Sequence, residues 1–342
     1  MGECINLRRG GKQKKLPILN ANYPADVSVE YNGNATFKVE IAEHGYPEEY
    51  TYQWYLDDKA VSGATNPSFT IYTDASSAST HPIRCDVTNK AGTVQSRTAT
   101  LTVGSALPTY NYSGSHQFID DGSGNWRIKF TSSGTLRFSN RGTGVNGIDV
   151  FCVGGGGSGA YSTAGGCGGG GGGYTNTARG RTIAVNTDYW IDVGSGGAEK
   201  SGSSQNGARG GTSGIGAFNL WAEGGYGGEQ GNGGKGGNGG SGGGANDAMG
   251  GSDGSDGKYT WTSASLVGIG QHRTTREFAE GGATLYAGGG TGFGNDWYGG
   301  ADGGGGAAYS PGTDGLGGGG GGGYWKLGAR GGSGIVIIRN KR

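Results

Sequence analysis

The chain is poor in most of the residues that ordinarily identify a working site. Only four of its 342 residues are cysteine, and Cys4, Cys85, Cys152 and Cys167 form no C-x-x-C pair. No histidine stands near them at zinc-site spacing, so the sequence predicts no metal centre and no disulfide framework. Reduced thiols are expected, with a Cys152–Cys167 bridge as the alternative. His44, His81, His116 and His272 are isolated along the chain and read as surface or turn residues. Net charge is also missing. Lys and Arg total 27 against 27 Asp and Glu, which argues against general polyanion binding, so no nucleic-acid partner is expected. No apolar run approaches the ~20 residues of a membrane span, and no membrane insertion is expected. Met1–Leu19 lacks the apolar stretch of a secretory signal.

Aliphatic residues are scarce as well. Leu, Ile, Val and Phe number 50, too few for one conventional core running through the whole chain. Proline numbers seven, and only Pro311 lies beyond Gly154, which excludes collagen despite the glycine content. Such low hydrophobicity signals disorder when it accompanies high net charge, a condition not met here. The 18 Tyr and seven Trp point the same way, to an ordered molecule.

What is present is glycine, 84 residues of it. Only 15 lie before Gly154, and the remaining 69 make up about a third of residues 154–342. At that density a G-x-G-x-x-G pattern arises by accident and carries no cofactor reading. No Ser/His/Asp or paired-carboxylate constellation stands out either. Neither enzymatic activity nor a cofactor is expected.

The chain divides into four segments. Residues 1–15 hold Arg8, Arg9, Lys12, Lys14 and Lys15 against Glu3, and read as a flexible basic arm. It is either a solvated tail or a segment that orders on an acidic partner surface. Residues 16–103 read as a small β-sandwich. Ala35–Ile41, Tyr50–Leu56, Ser68–Tyr72, Ile83–Val87 and Thr98–Val103 are its expected strands, with Phe37, Val39 and Ile41 on one face. Residues 104–112, with Pro108, read as a linker. Residues 113–342 read as one β scaffold with long glycine-rich insertions. Strand signals recur there at Trp126–Phe130, Gly134–Phe138, Ile148–Val153, Tyr189–Val193, Phe218–Trp221 and Gly334–Arg339. The fold class expected is thus all-β.

The insertions have a period. In Gly231–Gly244 the non-glycine positions are Asn232, Lys235, Asn238 and Ser241, every third residue. Three residues per turn is the polyproline-II repeat, so the segment predicts a polyglycine-II rod of roughly 43 Å with one outward polar stripe. Gly168–Gly173, Gly317–Gly323, Gly303–Gly306 and Gly154–Gly157 are companion runs. Such helices have no internal hydrogen bonds, and bare backbones packed side by side can bond to one another.

Rods present loops at their ends, and three clusters are candidates for recognition. Lys258–Glu280 offers Tyr259, Trp261, His272, Arg273, Arg276 and Phe278. Phe293 is followed by Asn295, Asp296, Trp297 and Tyr298, and a third cluster holds Tyr309, Tyr324 and Trp325. Aromatic rings beside polar groups suit sugar or protein surfaces. The alternative is that these rings cap the lattice or fill the β core.

Two resemblances attach to these residues. Gln53-Trp54-Tyr55 and Cys85–Gly92 resemble strand C and the strand F–G turn of an immunoglobulin-like domain. No cysteine stands in Phe37–Ile41, where the partner of Cys85 would lie, so the inter-sheet disulfide is absent and packing around Trp54 must hold the sandwich. Val150–Gly157, Gly168–Tyr174 and Gly331–Ile338 resemble the glycine-rich domain of tailed-phage and prophage structural proteins. That resemblance implies a jelly-roll-like scaffold carrying polyglycine-II helices. It also implies a virion protein made in the host cytoplasm, a tail-fibre or tail-tip adhesin with a host glycan or protein as partner. The basic arm would dock to other virion proteins, and a homo-oligomer such as a trimer is one assembly it allows. A head or tail decoration protein without a receptor is the alternative, and a bacterial surface adhesin the weaker one.

Overall fold

The structure, a computed structural model, describes residues 12–29, 33–73, 79–104, 107–122, 124–142, 145, 147–231, 233–258, 266–272, 275–293 and 299–341. Among these residues there is no α-helix, and the chain is built from β-sheets and extended glycine-rich runs. It divides into two compact units, Met1–Ala106 with Gly142–Gly144, and Leu107–Arg141 with Val145–Arg342.

In the first unit the largest sheet runs in the order Val27–Val29, Ala99–Val103, Thr80–Asn89, Thr51–Leu56 and Lys59–Ala60. Asn34–Lys38 pairs with Ser68–Tyr72, and Ile18–Leu19 pairs with Ile41–Glu43. Trp54 is fully buried, with its ring stacked on Phe69 at 5.9 Å and tilted against Phe37 at 6.4 Å. Its indole N–H donates to the Asn66 carbonyl at 2.9 Å, which removes the cost of burying that donor. Cys85 lies opposite Trp54 in register and is a free, buried thiol whose pKa burial pushes up to about 12. The run expected as one strand over Ala35–Ile41 is divided. Lys38 ends the pairing with Ser68, the Val39 N–H goes to the Pro67 carbonyl, and Ile41 joins a different partner.

The second unit has two five-stranded sheets. One runs Thr109–Tyr112, Gly134–Asn140, Asp188–Asp192, Ser213–Ile215, Leu220–Ala222. The other runs His116–Gly122, Asn125–Phe130, Ile335–Lys341, Gly147–Val153, Thr175–Arg181. Alternate residues of both sheets, among them Trp126, Ile128, Phe130, Phe138, Ile191 and Ile338, form one core. Strand Gly147–Val153 is buried along its whole length, because Ile148, Val150 and Cys152 enter this core while Phe151 and Val153 meet a second cluster with Phe278 and Tyr286. The closing strand Ile335–Lys341 lies between Asn125–Phe130 and Gly147–Val153, so the last residues of the unit complete its central sheet. Thr109–Tyr112, expected within a linker, is a strand. Tyr110 and Tyr112 alternate inward and pack against Phe138 and Phe130 at 5.7 and 4.6 Å.

The glycine runs leave and return to these strands. Their hydrogen bonds repeat with a period of three. Gly154, Gly157 and Ala160 donate to Tyr174, Gly171 and Gly168 of one neighbouring run. Gly155, Ser158 and Tyr161 donate to Gly211, Ala208 and Gln205 of a second, while Gly156 and Gly159 donate to Gly332 and Ala329 of a third. Consecutive residues along the run thus turn their N–H groups toward three different neighbours, and the pattern repeats at every third residue. A Cβ added at Gly156 would land on the Gly318 carbonyl, and one at Gly237 on the Tyr226 carbonyl. At such positions a side chain is excluded by backbone contact itself.

The single rod expected over Gly231–Gly244 is not formed. The Gly243 N–H donates to the Gly237 carbonyl at 2.8 Å, a pairing that six straight residues of this repeat, spanning about 19 Å, cannot make. The chain bends at Gly239–Ser241 and runs back. Ser241 stands at that bend, fully buried, and its Oγ accepts from the Gly254 N–H at 3.1 Å. It is therefore not part of an outward stripe. Lys235 and Asn238 remain partly exposed, and Asn232 lies outside the described residues.

The contrast between packed glycine and outward side chain predicts that Gly237→Val destabilises the chain by about 2–3 kcal/mol through backbone overpacking. Lys235→Val is expected to stay within about 0.5 kcal/mol of the parent. Thermal unfolding of the two variants checks this, and equal midpoints would contradict the packing scheme.

Candidate functional site

The runs that leave the sheets turn round away from them, and these turns bring aromatic residues together. Tyr161–Ser162 pairs in parallel with Gly323–Tyr324, and the Trp325 N–H donates to the Ser162 carbonyl at 2.9 Å. The Phe293 N–H donates to Cys167 at 2.8 Å and the Tyr309 N–H to Gly322 at 3.2 Å. Backbone bonds thereby hold segments at 161–167, 293, 309 and 322–325 in one place. Phe293 lies 5.0 Å from Tyr324 and 5.8 Å from Tyr309, and Trp325 meets Tyr324 edge-on at 6.1 Å. Lys326 places its ammonium 4.5 Å from the Tyr309 ring centroid. Beneath them Cys167 is buried, its thiol donating to the Gly323 carbonyl at 3.0 Å and pushed up to about 11 by burial.

This cluster joins two of the groups expected from sequence, since Phe293 comes from the second and Tyr309, Tyr324 and Trp325 from the third. Trp325 is 65% exposed and Leu327 46%, so the cluster reaches solvent instead of closing on itself. Tyr309 and Trp325 both adopt left-handed backbone, with φ of 62° and 52°. Bulky residues rarely occupy that region, and the surrounding hydrogen bonds must hold them there. One exposed ring backed by three half-buried ones, with an adjacent ammonium, offers contact area at little entropic cost.

The first group is divided differently. Tyr259, Trp261 and Arg273 lie outside the described residues, as do Asn295, Asp296, Trp297 and Tyr298 of the second. His272 is exposed, with φ of 56°, and its N–H donates to the Gly254 carbonyl at 2.9 Å. Arg276 is turned inward to its own loop, with Nη1 donating to the Gly282 carbonyl and Nη2 to Asp253. Phe278 is not displayed at all. It is 2% exposed and packs against Phe151 at 6.1 Å, because the apolar face of the sheet there needs a cover. Of the basic arm, Arg8 and Arg9 lie outside the described residues. Lys12 stands over the Tyr46 ring at 5.3 Å, Lys14 is exposed, and Lys15 pairs with Glu43 at 3.3 Å while its backbone bridges to Tyr46. The segment read as free to residue 15 is therefore held along the first unit from Lys12 to Lys15.

Sequence reasoning missed a charged cluster where the 275–282 loop meets the sheet. Glu277 accepts from Lys129 at 2.6 Å, Arg127 at 2.7 Å and Tyr286 at 2.6 Å. Glu280 accepts from Arg339 at 2.7 Å and Arg179 at 3.0 Å, and Asp149 accepts from Arg339 at 2.9 Å. A cleft of about 860 Å³ opens beside them. The signal lay in alternation, since Arg127 and Lys129 interleave with the core residues Trp126, Ile128 and Phe130. Burial pushes the Glu277 carboxyl up, but Lys129, Tyr286 and Arg127 together outweigh it and hold the pKa below its ordinary value. Hydrogen bonds from Arg339, and then from Arg179, hold Glu280 at about 2. Both carboxylates stay ionised at neutral pH, which suits a clamp on the loop and not a proton donor.

A family model described as a glycine-rich domain matches residues 131–341, and the chain belongs to that family. No curated protein matches the chain.

The clamp makes acid stability measurable. Glu280 is held ionised in the folded state, so its contribution is complete above the unfolded pKa of about 4.3 and is lost as pH falls toward its folded value. Glu280→Gln is expected to flatten the decline of the melting temperature between roughly pH 5 and 2. At neutral pH its cost should be about 1 kcal/mol or less, because the carboxylate is half exposed and screened. Unchanged acid sensitivity in the variant would contradict the clamp.

Proposed function

We propose that this chain is a bacteriophage structural protein, a tail-fibre or tail-tip adhesin whose glycine-rich domain displays a host-binding surface. The observation that carries the reading is the aromatic cluster of half-buried Phe293, Tyr309 and Tyr324 with the exposed Trp325 at the turns of the glycine runs. In this reading the runs are polyglycine-II helices, supported by donors that change neighbour at each residue and repeat every third. They serve as a rigid holder for loops that touch the host. The first unit is an immunoglobulin-like spacer, supported by the buried Trp54 set opposite Cys85. The basic residues Arg8, Arg9, Lys12, Lys14 and Lys15 would dock the chain to other virion proteins. The host partner is a surface glycan or protein, and the assembly a homo-oligomer such as a trimer.

Trp325→Ala combined with Lys326→Ala is expected to reduce binding of the full-length protein to host cells about tenfold or more, with the melting temperature unchanged. Unaltered cell binding, or a particle reconstruction that places the chain on the capsid, would favour a decoration protein instead.

A further inference from the structure

One sheet of the second unit carries two exposed tryptophans that take no part in the Trp325 cluster. In the sheet that ends with Asp188–Asp192, Ser213–Ile215 and Leu220–Ala222, Ile191, Ile215, Leu220 and Ala222 enter the core. Alternation turns Trp190, Asp192, Gly214 and Trp221 to the opposite face. Asp192 lies opposite Gly214, and Gly214 opposite Trp221. Trp190 is 55% exposed and Trp221 40%.

Both rings are held in place. The Trp190 indole N–H donates to Asp192 Oδ1 at 2.7 Å. The Trp221 ring lies across bare backbone, since a Cβ on Gly214 would stand 2.7 Å from its Cε3 and one on Gly216 3.4 Å from its Cζ2. The two glycines form a floor between the strands that bear the tryptophans. Thr135 stands directly across from Trp190, and one step along the sheet Arg137 donates to Asp188 at 3.1 Å.

We infer that this face is a binding site for a neutral glycan, with Trp190 and Trp221 as stacking platforms. The C–H face of a pyranose ring packs on an indole face, and its ring hydroxyls are met by the Asp192 carboxylate and the Thr135 hydroxyl. Charge selects the class. Arg137 and Asp188 cancel, and Asp192 leaves one negative charge beside the rings, which repels acidic polysaccharides. A protein partner fits less well. It needs about 800 Å² on each side with an apolar centre, whereas these rings are bordered by glycine, threonine and charged groups. The site is separate from the Trp325 cluster and does not rest on the function proposed for it.

The full-length protein is titrated with maltohexaose, cellohexaose, chitohexaose and mannohexaose, and with an alginate hexamer as the acidic counterpart. Tryptophan fluorescence and calorimetry report binding. At least one neutral hexasaccharide is expected to bind and to outcompete alginate. In a Trp325→Ala background, which disables the other aromatic cluster, Trp190→Ala and Trp221→Ala should each weaken it about tenfold or more. The inference is overturned if no neutral hexasaccharide binds, if alginate binds more tightly, or if binding survives the double tryptophan variant. It is equally overturned if that variant loses only capture of a protein partner.

Discussion

Backbone hydrogen bonding without side chains is the constraint on which the glycine-rich unit depends. A buried N–H or carbonyl left unpaired costs about 1–3 kcal/mol, and a glycine run has no other polar groups with which to satisfy them. Because such a run bonds to nothing within itself, every partner must come from another run. Gly154, Gly155 and Gly156 each find theirs on a different neighbour. Ordering glycine is also more expensive than ordering any other residue, and a single net hydrogen bond contributes only about 1 kcal/mol. No run can then be stable alone, and the set must form together.

Something must bring the runs to the right separation, and the β core does so. The runs beginning at Gly154 and ending at Tyr174 continue strands Gly147–Val153 and Thr175–Arg181, which are already antiparallel partners. The run ending at Gly334 continues into Ile335–Lys341, the other neighbour of Gly147–Val153. Sheet pairing thus aligns the first residues of each run, and the period of three carries that alignment outward. The 275–282 loop adds a second attachment. Phe278 covers the outer face of the central sheet, while Glu277 and Glu280 join the loop to Lys129, Arg127, Arg179 and Arg339.

Much of this architecture was legible in the sequence where the signal was local. Alternation located Trp126–Phe130, a continuous apolar run located the strand after Gly334, and composition located the glycine runs. The burial of Trp54 was expected from the resemblance of Gln53-Trp54-Tyr55 to the tryptophan-bearing strand of an immunoglobulin-like domain. The bend at Gly239–Ser241 was not legible, because a period of three is equally compatible with one long rod and with two short antiparallel runs. Only the position of further segments decides between them, here those holding Gly254 and Gly268. The ion cluster was illegible for a related reason, since its members come from residues as far apart as Arg127 and Arg339. Phe278 stayed open between recognition and core, because a lone aromatic in a glycine-poor stretch looks the same whether it caps a sheet or faces solvent. The aromatic end was half legible. Its residues could be named, but their meeting depends on which turns adjoin, and that is a property of the packed runs.

The same exclusion of side chains that holds the runs together also decides where chemistry can reside. A Cβ on the inner faces meets a carbonyl, so large residues are confined to turns, to outward positions and to the sheets. Tyr309 and Trp325 stand at turns, in backbone conformations that bulky residues avoid, and Trp190 and Trp221 stand on the outer face of a sheet. Packing and recognition are therefore assigned to different residues. In a side-chain core a new surface ring often disturbs what lies beneath it, because both share the same positions. Beneath the turns of the glycine runs much of what lies below is backbone, whose packing does not depend on which residues occupy those turns. A chain built this way can exchange its exposed turn residues while its packing stays unchanged.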